Sequence, residues 1–158
     1  MQDKTIEYIK EAVRLSRENV NDGSGGPFGA VIVKDGKIIA SGSNKVTSKN
    51  DPTAHAEIEA IREACKILNT FNLTGCEIYA SCEPCPMCLS AIYWARLDKI
   101  YFANTKKDAA EINFDDHFIY EEISKPHDKR KIPVVKIDHD DAKKVFDEWA
   151  NKEGKIHY

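Results

Sequence analysis

Three cysteines stand close together in the segment SCEPCPMC, residues 81–88, at intervals of three: Cys82, Cys85 and Cys88. Thiolates at this spacing can hold an iron–sulfur cluster, a structural zinc ion or a catalytic metal, or they can form a redox disulfide. Each of these sites needs different partners elsewhere in the chain. The partners therefore decide which chemistry the segment performs.

The chain lacks the ligands that an iron–sulfur cluster or a closed structural zinc site would need. A bacterial cluster run requires a fourth cysteine four positions after the third, and that position is Ile92. Cys65 and Cys76 fall at periodic apolar positions and are expected to be small core residues. A structural zinc usually takes two separate ligand pairs, and outside residues 82–88 the chain has no further C-x-x-C or H-x-x-H pair. A redox dithiol at Cys85 and Cys88 stays open as an alternative.

A catalytic zinc takes three protein ligands and leaves one position for water. Cys85 and Cys88 lie at the start of an expected helix, whose N-terminus favours thiolates. The third ligand should be a histidine with a carboxylate nearby, and His55 stands in TAHAEIEA with Glu57 two residues later. Cys82 is expected to point away from the metal. The remaining histidines lie in polar or terminal contexts and are expected to be exposed: His117, His127, His139 and His157.

The spacing of His55 and Glu57 poses a geometric question. Residues two apart on a regular helix point about 200° from each other. One helical face therefore cannot present both side chains to the same site. We expect the site to lie across the helix N-terminus, where the first turn can serve both residues.

The rest of the chain alternates between helical and strand patterns. Asp35-Gly36 favours a tight type I′ hairpin turn between two β-branched runs, and Asp51-Pro52 is expected to cap the helix that carries His55. Further strands are predicted over 76–81, 99–104 and 132–138, and helices over 1–21, 50–68, 86–96, 115–123 and 140–152. This order predicts one α/β domain over residues 1–158 with helices on both faces of the sheet.

Composition limits the partners that the chain can have. A length of 158 residues, 42% of them hydrophobic and 31% charged, fits one globular core. No stretch approaches the roughly 18 apolar residues of a membrane span, and the N-terminus is charged, so we expect a cytoplasmic protein without membrane contact. The 23 basic and 26 acidic residues give a net charge of −3. We therefore expect no nucleic-acid partner, and we interpret HDKRK, residues 127–131, as a solvated loop.

The pattern H-x-E followed by P-C-x-x-C is typical of zinc-dependent nucleobase deaminases. Along four segments the chain resembles the cytidine-deaminase-like superfamily, and most closely its small bacterial guanine deaminases. Those segments are GGPFGAVIV (25–33), NDPTAHAEIEAIR (50–62), SCEPCPMCLSAIYWAR (81–96) and FDDHFIYEEI (114–123). The first three are shared in part with transfer-RNA adenosine deaminases and cytosine deaminases. Phe28 and the FDD of the last segment favour guanine.

The resemblance implies a fold, a cofactor and a reaction. The fold is a three-layer α/β/α cytidine-deaminase-like domain with a central mixed sheet of about five strands. One Zn²⁺ per chain would be held by His55, Cys85 and Cys88. Guanine would be hydrolysed to xanthine and ammonia, with Glu57 as the proton shuttle and Asp116 as the acceptor at the amino edge of the base.

The same resemblance implies further contacts with the purine. Phe28 should stack on it, Asn44 should hydrogen-bond its ring, and Trp94 should form a wall of the pocket. The backbone N–H of Glu83 should polarise the attacking water or the adduct, and Ala54 should line the pocket. Simpler structural readings remain for four of these positions: Phe28 as core, Asn44 as a turn residue, Trp94 as helix packing and Asp116 as a helix cap.

The C-terminal segment adds an expectation about assembly. In the enzymes that the chain resembles, a similar tail crosses to a partner subunit and covers its active site. The resemblance therefore implies a homodimer in which residues 140–158 are swapped and Tyr158 reaches the partner's site.

Alternatives remain within and outside this chemistry. A transfer-RNA adenosine deaminase, or a deaminase of another nucleobase or nucleoside, would keep the zinc mechanism and change the substrate. A zinc-binding or redox module without turnover belongs to a different class. Glu57 argues against that module, because hydrolysis needs a proton shuttle and structure does not.

Overall fold

The computed structural model describes residues 2–158. The chain divides into two compact units, one that ends at His117 and one that spans Phe118–Tyr158. The first unit carries the sheet and the predicted metal ligands. The second unit contains the C-terminal segment.

The first unit is built on a mixed sheet. Within the described residues it has four strands in the order β2-β1-β3-β4. These are β1 (Gly29–Lys34), β2 (Lys37–Ser43), β3 (Cys76–Cys82) and β4 (Lys99–Asn104). Strand β1 is antiparallel to both β2 and β3, whereas β3 and β4 are parallel. The predicted mixed sheet is confirmed, with four strands in place of about five.

The hairpin between β1 and β2 has the predicted turn. Asp35 and Gly36 both adopt positive φ, at 50° and 71°, as a type I′ turn requires. Lys34 and Lys37 pair directly on either side of them.

Helices cover both faces of the sheet. On one face, α1 (Gln2–Asp22) packs Tyr8, Ile9 and Leu15 against the strands. On the other face lie α3 (Ala56–Leu68) and α4 (Pro86–Trp94), which share the main apolar core with β1 and β3. Side chains alternate between the two faces along β1, as strand geometry dictates. The predicted three-layer α/β/α arrangement is confirmed.

Helix α3 lies unusually close to β2 because its contact residues are small. Ala56, Ala60 and Ala64 are almost completely buried, whereas the predicted apolar stripe, Ile58, Ile61, Cys65 and Leu68, is only partly buried. A Cβ at Gly42 of β2 would lie 2.3 Å from the carbonyl oxygen of Ala56 and 2.5 Å from the amide nitrogen of Ala60. This contact fixes the N-terminal end of α3 against the sheet.

The predicted helix from residue 50 begins later than expected. A short α2 (Val46–Lys49) comes first, and α3 begins only at Ala56. Asp51 does not cap α3, because its Oδ1 accepts the N–H and the O–H of Thr53, at 2.8 and 2.6 Å. The Asp-Pro signal therefore belongs to a turn that precedes the helix, and His55 takes the N-cap position.

A short helix after β4 was not predicted. Helix α5 (Lys106–Glu111) has only six residues, too few to show a clear apolar period. Thr105 and Asp108 form a capping box at its start, in which each side chain accepts the backbone N–H of the other.

The second unit contains most of α6 (His117–Ser124), a 3₁₀ turn (His127–Lys129) and α7 (Asp140–Asn151). The strand predicted over 132–138 is wrong. This segment pairs with no strand among the described residues, and Pro133 removes one of the backbone donors that a ladder would need.

The second unit has little internal core within one chain. Each of residues 118–158, all of them described, is exposed or only partly buried. Many large apolar side chains are more than half exposed: Ile123, Ile132, Val135, Ile137, Val145, Phe146, Ile156 and Tyr158. In the described part of the chain, no helix is long and apolar enough to cross a membrane.

Candidate metal centre

The N-termini of helices α3 and α4 lie next to each other in the first unit. His55 is the N-cap of α3 and Cys85 is the N-cap of α4, each with extended backbone angles, φ −71° and ψ 158° for His55 and φ −67° and ψ 169° for Cys85. Pro86 starts α4 because the first helical position needs no amide donor. Cys88 lies in the first turn of α4, and its N–H donates to the Cys85 sulfur at 3.5 Å.

The three predicted ligands meet at one point. The Nδ1 atom of His55 lies 3.5 Å from the Sγ atoms of both Cys85 and Cys88. The three ligand atoms lie within 4.8 Å of one another, and they form the candidate metal-binding group of the described residues. Tetrahedral zinc with ordinary Zn–N and Zn–S bonds would place nitrogen and sulfur roughly 3.5 Å apart. The donor set and its spacing therefore fit zinc.

Cys82 does not join this cluster. Its buried thiol donates to the carbonyl oxygen of Thr105 at 3.7 Å, as expected for a side chain that points away from the metal. Cys65 and Cys76 lie in or against the apolar core, which confirms their prediction as core residues. Three protein ligands leave a fourth position open, which is the arrangement of a catalytic zinc.

The pKa values of the three ligand side chains are shifted in different directions. The pKa of Cys85 is lowered to about 4, chiefly because the Cys88 thiol donates a hydrogen bond to it and also because His55 lies beside it. The same hydrogen bond raises the pKa of Cys88, as does burial. The pKa of His55 is raised, mainly by its hydrogen bond to Cys85. A cation held by both sulfurs would replace the remaining thiol proton.

Glu57 lies beside the ligands and is not one of them. It is buried in the first turn of α3, only 7% exposed. Burial raises its pKa, and the charge of Cys85 adds to this effect. His55 immediately precedes the first turn of α3 and Glu57 lies within that turn. The two side chains therefore reach the same site across the helix N-terminus, as predicted.

Asp116 presents an unpartnered carboxylate oxygen. Its Oδ1 is buried and has no hydrogen-bond partner among the described residues. Burial raises the pKa of Asp116, and the nearby charge of Cys85 raises it further. Asp115, not Asp116, accepts the N–H of His117 at 2.9 Å. This contact is an Asx turn just before α6 and does not involve the buried Oδ1 of Asp116.

Phe28 has a partner that the sequence did not reveal. Its ring meets that of Phe114 edge to face, with centroids 4.9 Å apart and an interplanar angle of 90°. Phe28 also packs against the apolar core, which confirms the structural reading of this residue. Its contact with the base stays a prediction. The signal for Phe114 was its place two residues before Asp116 in the segment FDD.

Asn44 is almost fully buried at the end of β2, 5% exposed. Its Oδ1 accepts the backbone N–H groups of Gly26 and Val46, each at 3.2 Å. These two contacts fix the orientation of the side-chain amide. Ala54 is buried nearby; its carbonyl accepts the N–H of Lys45 at 2.8 Å. The proposed contact of Ala54 with substrate stays a prediction.

The predicted role of the Glu83 backbone is wrong. Its N–H donates to the carbonyl oxygen of Asn104 at 2.8 Å, which extends the pairing of β3 with β4, so this donor is not available to polarise water. The Glu83 side chain accepts the N–H of Lys106 at 3.0 Å. Glu83 therefore braces the start of α5 against the cysteine segment.

Trp94 and Tyr158 are both largely exposed. Trp94 ends α4, is 65% exposed and lines a surface depression with Ser90, Tyr93 and Arg96. The nine residues of α4 span about 13 Å, which separates Trp94 from the metal ligands at the other end. Tyr158 belongs to the second unit and is 70% exposed. The four histidines outside the cluster are exposed, as predicted.

Residues 2–104 match the family model described as the cytidine and deoxycytidylate deaminase zinc-binding region. The chain belongs to this deaminase family. The family and the His–Cys–Cys cluster together assign one zinc ion per chain, and the redox alternative is not supported.

Among known proteins, the deaminase is similar to guanine deaminase from Bacillus subtilis, with 55% identity over 151 residues, 96% of this chain and 97% of that protein. The crystal structure of that enzyme matches with a TM-score of 0.94 over the same shares. Guanine deaminase from Nitrosomonas europaea matches with 33% identity and a TM-score of 0.66, over 69% of this chain and 63% of that one. The predicted resemblance to bacterial guanine deaminases is confirmed.

The likeness to transfer-RNA deaminases is partial. The transfer-RNA-specific adenosine deaminase of Aquifex aeolicus is 45% identical over 100 residues, which cover 63% of this chain and 66% of that protein.

Serine substitutions distinguish the two cysteine ligands, Cys85 and Cys88, from the nearby Cys82. Cys82→Ser should leave about one zinc per chain, because a hydroxyl can still donate to Thr105. Cys85→Ser and Cys88→Ser should each lose most of the zinc, because each removes one of three protein ligands. Metal content after dialysis, measured by mass spectrometry, checks this. Loss of zinc from the Cys82 variant, or full zinc in the other two, would contradict the assignment.

Proposed function

We propose that this deaminase hydrolyses guanine to xanthine and ammonia. The observation that carries the proposal is the 55% identity to Bacillus subtilis guanine deaminase along 96% of the chain, because the likeness extends well past the zinc-binding region.

We propose a cytoplasmic enzyme, since the thiols of Cys85 and Cys88 persist best in a reducing compartment. All five cysteines, each within the described residues, are free thiols.

The reaction needs a nucleophile and a proton carrier. Zinc, when bound by His55, Cys85 and Cys88, lowers the pKa of a bound water towards about 7 and so supplies a nucleophile at neutral pH. Glu57 accepts a proton from the attacking water and delivers it to the ring nitrogen beside the attacked carbon. The attack forms a C–O bond, and Glu57 then takes the second proton from the new hydroxyl and passes it to the amino group. The C–N bond breaks, ammonia leaves, and the water oxygen remains as the new carbonyl. The raised pKa of the buried Glu57 carboxyl suits a group that must both take and return protons.

The groups around the cluster complement a guanine ring. Guanine presents two adjacent donors, the ring N–H and the amino group, which a carboxylate can accept. Asp116 offers a buried oxygen without a partner for this edge. Asn44 offers an NH₂ donor, which suits the carbonyl oxygen or an acceptor nitrogen of the ring. The rings of Phe28 and Phe114 offer apolar contact for the flat base.

Ammonia release from the zinc-loaded enzyme tests the proposal on guanine, guanosine, adenine, cytosine and an adenosine-bearing RNA stem-loop. We expect turnover of guanine well above the others, with xanthine as the product. Glu57→Gln is the matched control, because it should keep zinc and fold while losing at least about a hundredfold in rate.

Two outcomes would count against this function. Release only from the RNA would keep the zinc chemistry and replace the substrate. Equal release by the wild type and the Glu57 variant would point to a contaminating activity or to a different proton carrier.

We further propose that the enzyme is a homodimer in which residues 140–158 cross to the partner subunit and Tyr158 reaches the partner's site. Support comes from the exposed apolar side chains of residues 118–158, where no described residue is buried within one chain. An apolar surface of this kind calls for a covering partner. In such a dimer each functional domain would use the main part of one chain and the tail of the other.

Mixing two defective chains tests the crossing tail. A chain that lacks residues 155–158 should form dimers and lose most of its activity, because its partner's site would be uncovered. Coexpression with full-length Glu57→Gln chains should restore activity, since the intact tail of the inactive chain would cover the one functional site of each mixed dimer. Sedimentation and kcat/KM check both steps. Full activity of the shortened chain alone, or no recovery in mixed dimers, would rule out this arrangement.

A further inference from the structure

A buried asparagine lies behind the groups proposed to recognise the base. Asn19 is near the C-terminal end of α1 and is only 2% exposed. It belongs to the helix on the opposite side of the sheet from α3 and α4, which carry the metal ligands. Its polar side chain therefore has no direct part in the chemistry described above.

All the main hydrogen-bonding groups of the Asn19 side chain are used. Its Nδ2 donates to the carbonyl oxygens of Gly26 and Asn44, at 2.7 and 2.8 Å. Its Oδ1 accepts from the Nζ of Lys45 at 3.4 Å. One amide thus joins α1 to two separate segments, the loop before β1 and the end of β2.

These two segments also hold each other. The N–H of Gly26 donates to the Oδ1 of Asn44, and the N–H of Asn44 donates to the carbonyl oxygen of Phe28 at 3.1 Å. A Cβ at Gly25 would lie 2.2 Å from the Asn44 carbonyl oxygen, so the two backbones are in close contact. The orientation of Phe28 and of the Asn44 amide depends on this contact, and Asn19 donates to both sides of it.

We infer that Asn19 is a positioning residue for base recognition, a role that rests on the proposed function of the site. By holding the carbonyls of Gly26 and Asn44 together, it sets the relative positions of the Phe28 ring and the Asn44 NH₂ group. It does so without touching the base. Its loss should therefore weaken binding of the base more than it slows the chemical step.

Asn19→Asp is the sharpest variant because it keeps the size of the side chain. A carboxylate cannot donate, so two carbonyl oxygens would face an oxygen in place of an NH₂ group. We expect KM for guanine to rise about tenfold, the effect of one net hydrogen bond, while kcat changes by less than about threefold. Zinc content should stay the same, because His55, Cys85 and Cys88 lie on α3 and α4.

Hydrogen exchange supplies a readout that needs no substrate. In the zinc-loaded full-length enzyme, peptides that cover residues 24–29 and 43–46 should exchange faster in the variant than in the wild type. Peptides that cover residues 55–65 should be unchanged. Ser16→Ala is the matched control: Ser16 lies one turn earlier on α1, and among the described residues its hydroxyl donates only to the Val13 carbonyl of the same helix, at 2.9 Å. That control should leave KM and exchange as in the wild type.

The outcomes separate this inference from the function it rests on. Wild-type enzyme that does not turn over guanine would defeat the proposed function, while the exchange comparison would still test Asn19. Unchanged exchange and unchanged KM in the Asn19 variant would overturn the positioning role. Asn19→Ala, which removes the donors without adding charge, gives the same readouts if the Asp variant does not fold. Failure of both to fold would also overturn the inference, because Asn19 would then act on the whole fold.

Discussion

The N-termini of α3 and α4 meet at one point, and the site depends on that meeting. His55 and Cys85 occupy the N-cap positions, where the backbone is extended and the side chain leaves the helix axis. Each helix N-terminus carries a partial positive charge, which stabilises thiolates and carboxylates placed beside it. Two cysteine sulfurs and the Glu57 carboxyl lie together there. A zinc ion held at the site would add its positive charge to that of the helix ends.

Packing far from the metal fixes where those helices begin. Strand β2 can approach α3 closely because Gly42 faces the backbone of Ala56 and Ala60. Strand β3 feeds directly into the cysteine segment, and Glu83 ties that segment to β4 and α5. The chemistry is thus held by the sheet and two helix starts, whereas the groups proposed to recognise the base lie on the loop around Phe28 and on the segment that ends at Asp116.

The sequence predicted the parts of the structure that depend on local pattern. The type I′ turn at Asp35-Gly36 and the bounds of β4 follow from residue type and spacing. The ligand set of His55, Cys85 and Cys88 was implied by the resemblance to zinc-dependent deaminases, after spacing had argued against the other cysteine sites. Features that depend on distant partners were missed or wrong. The sequence did not show that the backbone N–H of Glu83 has an acceptor, whereas in the structure it donates to Asn104 at the end of β4. Asp51-Pro52 is typical of a helix N-terminus, but in the structure these residues form a turn before α3. The alternating run at 132–138 has strand character but no pairing partner among the described residues. Asn19 gave no signal because its partners lie outside its own helix, two of them in the distant segment after β2.

X-ray absorption at the zinc edge tests the central claim most directly. The account predicts about one zinc per chain with one nitrogen at about 2.0 Å, two sulfurs at about 2.3 Å and one further light atom from solvent. Three or four sulfur ligands would bring Cys82 or another cysteine into the site and make it structural. Zinc far below one per chain in freshly purified protein, or a coordination shell without sulfur, would contradict a metal centre built by the two helix N-termini.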